Sequence, residues 1–130
     1  MSRDVIGDFL TIMRNGIMRS KPSVDIPFSR LKQDVALLLQ NEGFVRDVIT
    51  VEELPHKTLR VILKYVNGES VIHELKRVST PGSRVYRGVK QLGIISGGFG
   101  VAVVSTNRGV ITNKQARELS VGGEILCTVW

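Results

Sequence analysis

The chain reads as an α+β protein in two units. Residues 1–66 are expected to form an α-β-α-β-β unit, two helices on a three-stranded sheet, packed against a mainly β unit with one short helix over residues 67–130. Three observations predict this. Apolar residues recur at intervals of three and four over 6–17 and again over 31–39, the spacing of one helix face. Period-two alternation takes over at 44–53 and 58–66. Past the break at Asn67, Gly68 and Glu69, short β-branched runs punctuated by glycine dominate, with a single helical stretch among them. The chain has 130 residues, 42% of them apolar, which is enough to fill one core or two small ones.

Each element has a local reason. Ser2 can cap a first helix with Ile6, Phe9, Leu10, Met13 and Ile17 as its inward stripe, and Pro22 sets its limit. Residues 24–27 suit a short edge strand. Ser29 caps a second helix with Leu31, Val35, Leu38 and Leu39 inward and Gly43 as its stop. Two strands follow, joined by a turn at Pro55, with Leu59, Val61, Leu63 and Tyr65 on one face. In the second half, 70–78 reads as a strand, 79–83 as a loop turning at Pro81 and Gly82, and Arg84 and Tyr86 share a face of a short strand. After 88–92 a strand over 93–96 leads into the glycine cluster at 97–100. The stretch 97–117, GGFGVAVVSTNRGVITNKQAR, then reads strand, polar turn, strand, helix, with Thr112 or Asn113 as the helix cap to about Leu119. Gly122, Gly123 and Glu124 open a last strand that ends at Trp130.

Charge says most about function. Net charge is +6, and it is unevenly spread: residues 1–66 carry ten bases against eight acids, whereas residues 67–130 carry eight against four. All eight of the latter bases (Lys76, Arg77, Arg84, Arg87, Lys90, Arg108, Lys114, Arg117) fall in the 42 residues 76–117, which hold no acid. A one-sign field costs self-repulsion unless a polyanion meets it, so a nucleic acid is the expected partner. With 5% aromatic residues, a platform that stacks the bases of a single strand is disfavoured. A folded or paired nucleic acid bound through its backbone fits better.

The polar run Ser105, Thr106 and Asn107, followed by Arg108 and Gly109, sets hydrogen-bonding side chains on a rigid strand end, where they can read a partner; an ordinary polar hairpin without a ligand is the competing account. Asn107 offers an amide donor and acceptor, or serves the turn by tolerating positive φ. Arg84, Tyr86, Arg87, Lys90 and Lys114 complete the candidate surface, with Arg14, Asn15, Arg30 and Lys32 as a second one. Arg30 and Lys32 lie in a first helical turn, where positive charge opposes the dipole and a nearby phosphate would explain it. Arg14 and Asn15 fall off the apolar stripe and face water.

Other chemistries are poorly served. The GGFG cluster lacks the Lys-Ser/Thr of a phosphate-binding loop and sits between strands, so a tight turn or bulge accounts for it better than a phosphate-ligand enzyme. No titratable group lies beside it in the acid-free segment. His56 and His73 have no second ligand at metal-binding spacing, so no metal or cofactor is expected. The single Cys127 sits in an apolar run and reads as a buried thiol. No run approaches the length that spans a bilayer, and acids near the N-terminus argue against a signal peptide, so the chain is expected in the cytoplasm, or in an organelle if a targeting segment was removed. A free RNA chaperone or nucleoid protein remains an alternative from the residues alone.

Five blocks carry a family resemblance: DVIGDFLTIMRNG at 4–16, LKYVNGE at 63–69, RVSTPGSRVYR at 77–87, GVAVVSTNRGVITNKQAR at 100–117 and GGEILCTVW at 122–130. In these the chain resembles the bacterial small-subunit ribosomal protein S-eight family, over nearly its whole length. The resemblance implies a constituent of the small ribosomal subunit that binds a helical stem in the central domain of small-subunit ribosomal RNA during assembly. It also implies the fifth and twelfth small-subunit proteins as neighbours, and repression of its own operon through a similar messenger-RNA hairpin. The family's main contact loop corresponds to Ser105, Thr106 and Asn107, supported by Gly122, Gly123 and Glu124. Where the family commonly has Ser-Thr-Ser, this chain ends the triplet with Asn107.

Overall fold

The computed structural model of the chain describes residues 4–53, 55–88, 90 and 100–130. The cap at Ser2, the strand over 93–96 and most of the GGFG cluster lie outside the described residues. The described elements are mixed helix and strand, as the sequence predicts, and the chain divides by contact into two compact units, Val5–Ile72 and Met1–Asp4 with His73–Trp130.

The first unit opens with helix α1, Val5–Met18, which buries Ile6, Phe9, Leu10, Met13 and Gly16. Gly16 replaces Ile17 at the end of the expected stripe because the Val24 side chain presses onto it, leaving no room for a Cβ. The helix unwinds where Ser20 takes φ +51° and Lys21 N–H donates to Gly16 O (2.9 Å). Strand β1, Ser23–Pro27, is followed by helix α2, Arg30–Asn41, whose cap Ser29 accepts from Lys32 N–H (3.1 Å), satisfying one of the orphan donors of the first turn. Gly43, at φ +83°, lets the chain turn out of α2.

Strands β2, Val45–Glu53, and β3, His56–Leu63, form a hairpin, and β1 pairs the far side of β3, so the sheet order is β1-β3-β2 with β1 at an edge. Val24, Ile26, Leu59, Val61 and Leu63 are buried with Phe9, Leu10, Met13, Val35 and Leu39. Tyr65 is not part of that face. It belongs to a separate two-residue strand, β4 (Tyr65–Val66), paired with β5 (Glu69–Ser70) around an Asn67-Gly68 turn in which both residues have positive φ. The Tyr65 hydroxyl donates to Lys21 O (2.6 Å), and burial raises its pKa.

The single strand expected over 70–78 is broken. Ser70 Oγ accepts from Ile72 N–H (3.1 Å), and His73 and Glu74 N–H both donate to Trp130 O (2.7 and 2.8 Å), so a turn and a loop precede β6, Leu75–Arg77. After β7 (Tyr86–Arg87) come β8 (Val101–Thr106), β9 (Gly109–Thr112), helix α3 (Asn113–Glu118) and β10 (Gly123–Val129). Strand β10 pairs β8 on one side and both β6 and β7 on the other, and β9 closes the far edge of β8. Val101, Ala102, Val103 and Val104 are all buried, as a central strand requires, and Cys127 is buried opposite Val103. Ala102, Val104, Ala116 and Ile125 form one core cluster. Thr112, rather than Asn113, caps α3 in a complete capping box with Gln115 (3.1 and 3.0 Å). Asn113 is buried, and its Oδ1 accepts from Ala102 N–H (3.1 Å), tying α3 to β8.

Candidate nucleic-acid interface

The polar triplet is not a loop that follows a strand. Ser105 and Thr106 are the last residues of β8, paired with Val110 and Gly109 of β9, and only Asn107 and Arg108 form the turn. Thr106 holds that turn together. Its hydroxyl donates to Gly109 O (2.9 Å) and accepts from Arg108 N–H (2.9 Å), the pattern by which Thr mimics a backbone turn. The left-handed position is Gly109, φ +103°, so the hinge role considered for Asn107 falls to the glycine. Asn107 and Arg108 are exposed at the tip.

Three strands bring the other candidates alongside. Glu124 of β10 faces Ser105 on one side and Tyr86 of β7 on the other, and directly opposed residues of antiparallel strands project from the same face. Tyr86, Glu124, Ser105 and Val110 thus form one cross-strand row. Arg84 lies two residues before Tyr86, and its Nη1 donates to Glu124 Oε2 (3.1 Å); the carboxylate is the more buried partner, at 14% side-chain exposure against 54%. Glu124 therefore orients the Arg84 guanidinium toward this row rather than adding a free negative charge. Tyr86, at 63% exposure, presents a large ring on the surface of the described residues.

Gly122 and Gly123 are what allow the strands to approach. A Cβ at Gly122 would lie 2.5 Å from Arg87 O and 2.9 Å from Gly88 Cα, and one at Gly123 would collide with Ser105 O. Both act as spacers between backbones. Sequence reasoning missed Ser79, which is buried and whose Oγ accepts from Val85 N–H (2.9 Å), fixing the segment that carries Arg84, Tyr86 and Arg87. A serine at a strand end before a Pro-Gly turn was the only available signal.

The remaining candidates are not residues of this row. Lys90 is exposed, and Lys114 is exposed on α3. Arg14, Asn15, Arg30 and Lys32 belong to the first unit. Lys32 is buried and its ammonium donates to Pro27 O (2.9 Å), while Arg30 pairs with Asp34 one helical turn away (3.7 Å). A nearby phosphate is thus not needed to explain either cation: internal partners offset their unfavourable position at the helix start. Among the described residues, no group of three His, Cys, Asp or Glu side chains is gathered to hold a metal ion, and no helix is long and apolar enough to cross a membrane.

The family model described as ribosomal protein S8 matches residues 4–130. The chain belongs to that family. Curated relatives named small ribosomal subunit protein uS8 include one from Geotalea uraniireducens, 49% identical over 128 residues, covering 98% of this chain and 97% of the relative. Another, from Maricaulis maris, is 48% identical over 127 residues, covering 97% and 96%. A third, from Dictyoglomus thermophilum, is 42% identical over 127 residues, covering 98% and 97%. Each of these relatives is named as a protein of the small ribosomal subunit. The match spans both units.

Proposed function

We propose that this chain is a structural constituent of the small ribosomal subunit in the cytoplasm, binding a helical stem in the central domain of the small-subunit ribosomal RNA. The observation that carries the reading is the cross-strand row: Tyr86, Glu124 and Ser105 side by side, with Arg84 held by Glu124 and the Thr106 to Arg108 tip beyond. Arg87, Arg108, Lys90 and Lys114 supply charge to dock phosphates without reading sequence, while the tip enters the wide, shallow minor groove of an irregular stem. Thr106 has committed its proton to Gly109 O, so toward RNA its hydroxyl acts as an acceptor, for a base amino group or a ribose 2′-hydroxyl. Ser105 and the Asn107 amide supply the donors. The fifth and twelfth small-subunit proteins as neighbours, and repression of the chain's own messenger RNA through a similar hairpin, extend this reading by family resemblance.

The test compares Thr106→Val with Thr106→Ser on the cognate stem and on a random RNA duplex. Valine keeps the shape but loses both turn hydrogen bonds, so affinity for the stem should fall by about 1–3 kcal/mol while the random duplex is bound nearly as before. Serine should retain most of the affinity. Equal losses on both RNAs for valine would show that the tip does not read the stem.

A further inference from the structure

The outer edge of β1 in the first unit is used neither by the RNA-binding surface nor by the family assignment. Leu63 N–H donates to Pro22 O (2.9 Å) and Phe28 N–H donates to Lys57 O (3.1 Å), and between these bonds β1 and β3 stay in one unbroken antiparallel register. Inward and outward backbone groups alternate along such a ladder. Val24 and Ile26 therefore bond toward β3, and Ser23, Asp25 and Pro27 turn their backbone groups outward. Pro27 has no N–H, and its carbonyl accepts from the Lys32 ammonium. Ser23 and Asp25 are left presenting two donors and two acceptors along the rim.

Short edge strands are commonly closed off by a proline or a charge, and β1 has both. The space beside this edge argues that it is not sealed. A cleft of about 490 Å³ runs past Ser23, Val24 and Asp25, between α1 and Arg60. A second, of about 580 Å³, continues from Asp25 past Phe28 to Pro55, and Asp25 lines both. The charge along this channel is graded. Arg19 and Lys21 are exposed at the Ser23 end. In the middle the Asp25 carboxylate is occupied by Arg60 (2.8 and 3.2 Å). Phe28, Pro27 and Pro55 make the far end mainly apolar, although His56 and Lys57 also line it; the Lys57 ammonium is paired with Glu52 (3.6 Å) and lies 4.1 Å from the Phe28 ring centre.

The geometry points to a strand-docking site for an extended segment of a partner protein, acidic where it meets Arg19 and Lys21 and apolar where it meets Phe28 and Pro55. Main-chain bonds to Ser23 and Asp25 supply affinity, and the two clefts select the alternate side chains. A nucleic-acid backbone would satisfy the Arg19 and Lys21 end alone, which is why a polypeptide is favoured. The site does not depend on the RNA-binding reading.

The experiment titrates the full chain with an acetylated peptide, Glu-Glu-Val-Thr-Val-Thr, and follows amide hydrogen exchange residue by residue. Exchange at Ser23 and Asp25 should slow by about tenfold or more at saturation, with β8 and β9 unaffected. A peptide with Lys-Lys in place of Glu-Glu should bind about tenfold more weakly. Ser23→Pro removes an outward N–H without touching a ladder bond and should abolish protection. Should that variant fold poorly, the double change Arg19→Glu with Lys21→Glu leaves the backbone intact and should reverse the preference between the two peptides. The proposal is overturned by unchanged exchange at Ser23 and Asp25, or by indifference to the charge reversal. It is equally overturned if stem RNA protects these amides and the peptide does not, or if the chain protects them by self-association without any peptide.

Discussion

Asn107 and Thr106 exchange the roles that a reader of the sequence would assign them. Both are short polar residues before a glycine, and either could shape the turn or meet a ligand. In the structure Thr106 spends its hydroxyl on Arg108 N–H and Gly109 O, Gly109 supplies the positive φ, and the Asn107 side chain is left exposed. On the proposed RNA-binding reading, Asn107 is thus the side chain left available to meet the stem, at the one position where the triplet departs from the pattern the family resemblance implies. Replacing it with Ala should cost about 1–2 kcal/mol of affinity for the cognate stem, and Ser should restore part of it. Gly should do no better than Ala, because the backbone here needs no left-handed conformation. Binding measurements on the three variants check the order; a Gly variant that binds like the parent would return the hinge role to Asn107. The polarity of the tip was legible in the sequence. Which hydroxyl closes the turn was not, because that depends on the pairing register of β8 with β9.

At the scale of elements, the helices and the first sheet were readable because their apolar periods are long and undisturbed. The stretch 70–78 was misread because its alternation is genuine but its hydrogen bonds go elsewhere: Ser70 closes a local turn and Trp130 O takes the His73 and Glu74 donors. Periodicity does not reveal such competition. Close approach of strands is equally invisible in sequence, since Gly122 and Gly123 read there only as the opening of the last strand. Their spacing role predicts that Gly123→Ala, whose methyl would meet the Ser105 carbonyl, destabilises the chain by about 1–3 kcal/mol and disturbs the β8 to β10 pairing. Thermal melts and amide shifts of Ser105 and Glu124 would report it. The β1–β3 pair yields a second expectation. Hydrogen bonds from Arg60 hold the Asp25 carboxyl below its ordinary pKa of 3.8, so the folded state binds that proton less readily than the unfolded chain. The pair's stabilisation is present above the ordinary value and is lost as pH falls through the lowered one. Arg60→Met should flatten that acid limb of the stability profile while leaving behaviour near neutral pH close to the parent, because the pair is largely exposed.

Across the whole molecule, the acid-free run announced in the sequence does not act as eight equal charges. Arg77 is paired with Asp4 and Arg84 with Glu124, and the Arg77 side chain is only 25% exposed. Formal charge counted along a chain overstates what a polyanion meets, because a cation already neutralised by a carboxylate displaces fewer of the counterions condensed on the nucleic acid. The other six of the eight, Lys76, Arg87, Lys90, Arg108, Lys114 and Arg117, are exposed. If about four phosphates are neutralised, log affinity for the stem should fall against log salt with a slope of about −3, at roughly 0.7 to 0.9 per contact. Arg108→Ala and Lys90→Ala should each make that slope shallower by about one and weaken cognate and random RNA alike, which is the mark of a backbone contact. Arg84→Ala should behave differently. Its partner Glu124 would be left beside the row as an unpaired carboxylate, so affinity should drop by more than one lost contact explains. The double change Arg84→Ala with Glu124→Gln should recover part of that loss. A slope that shifts by one for Arg84→Ala, with no recovery in the double variant, would make Arg84 an ordinary phosphate contact and remove Glu124 from the interface.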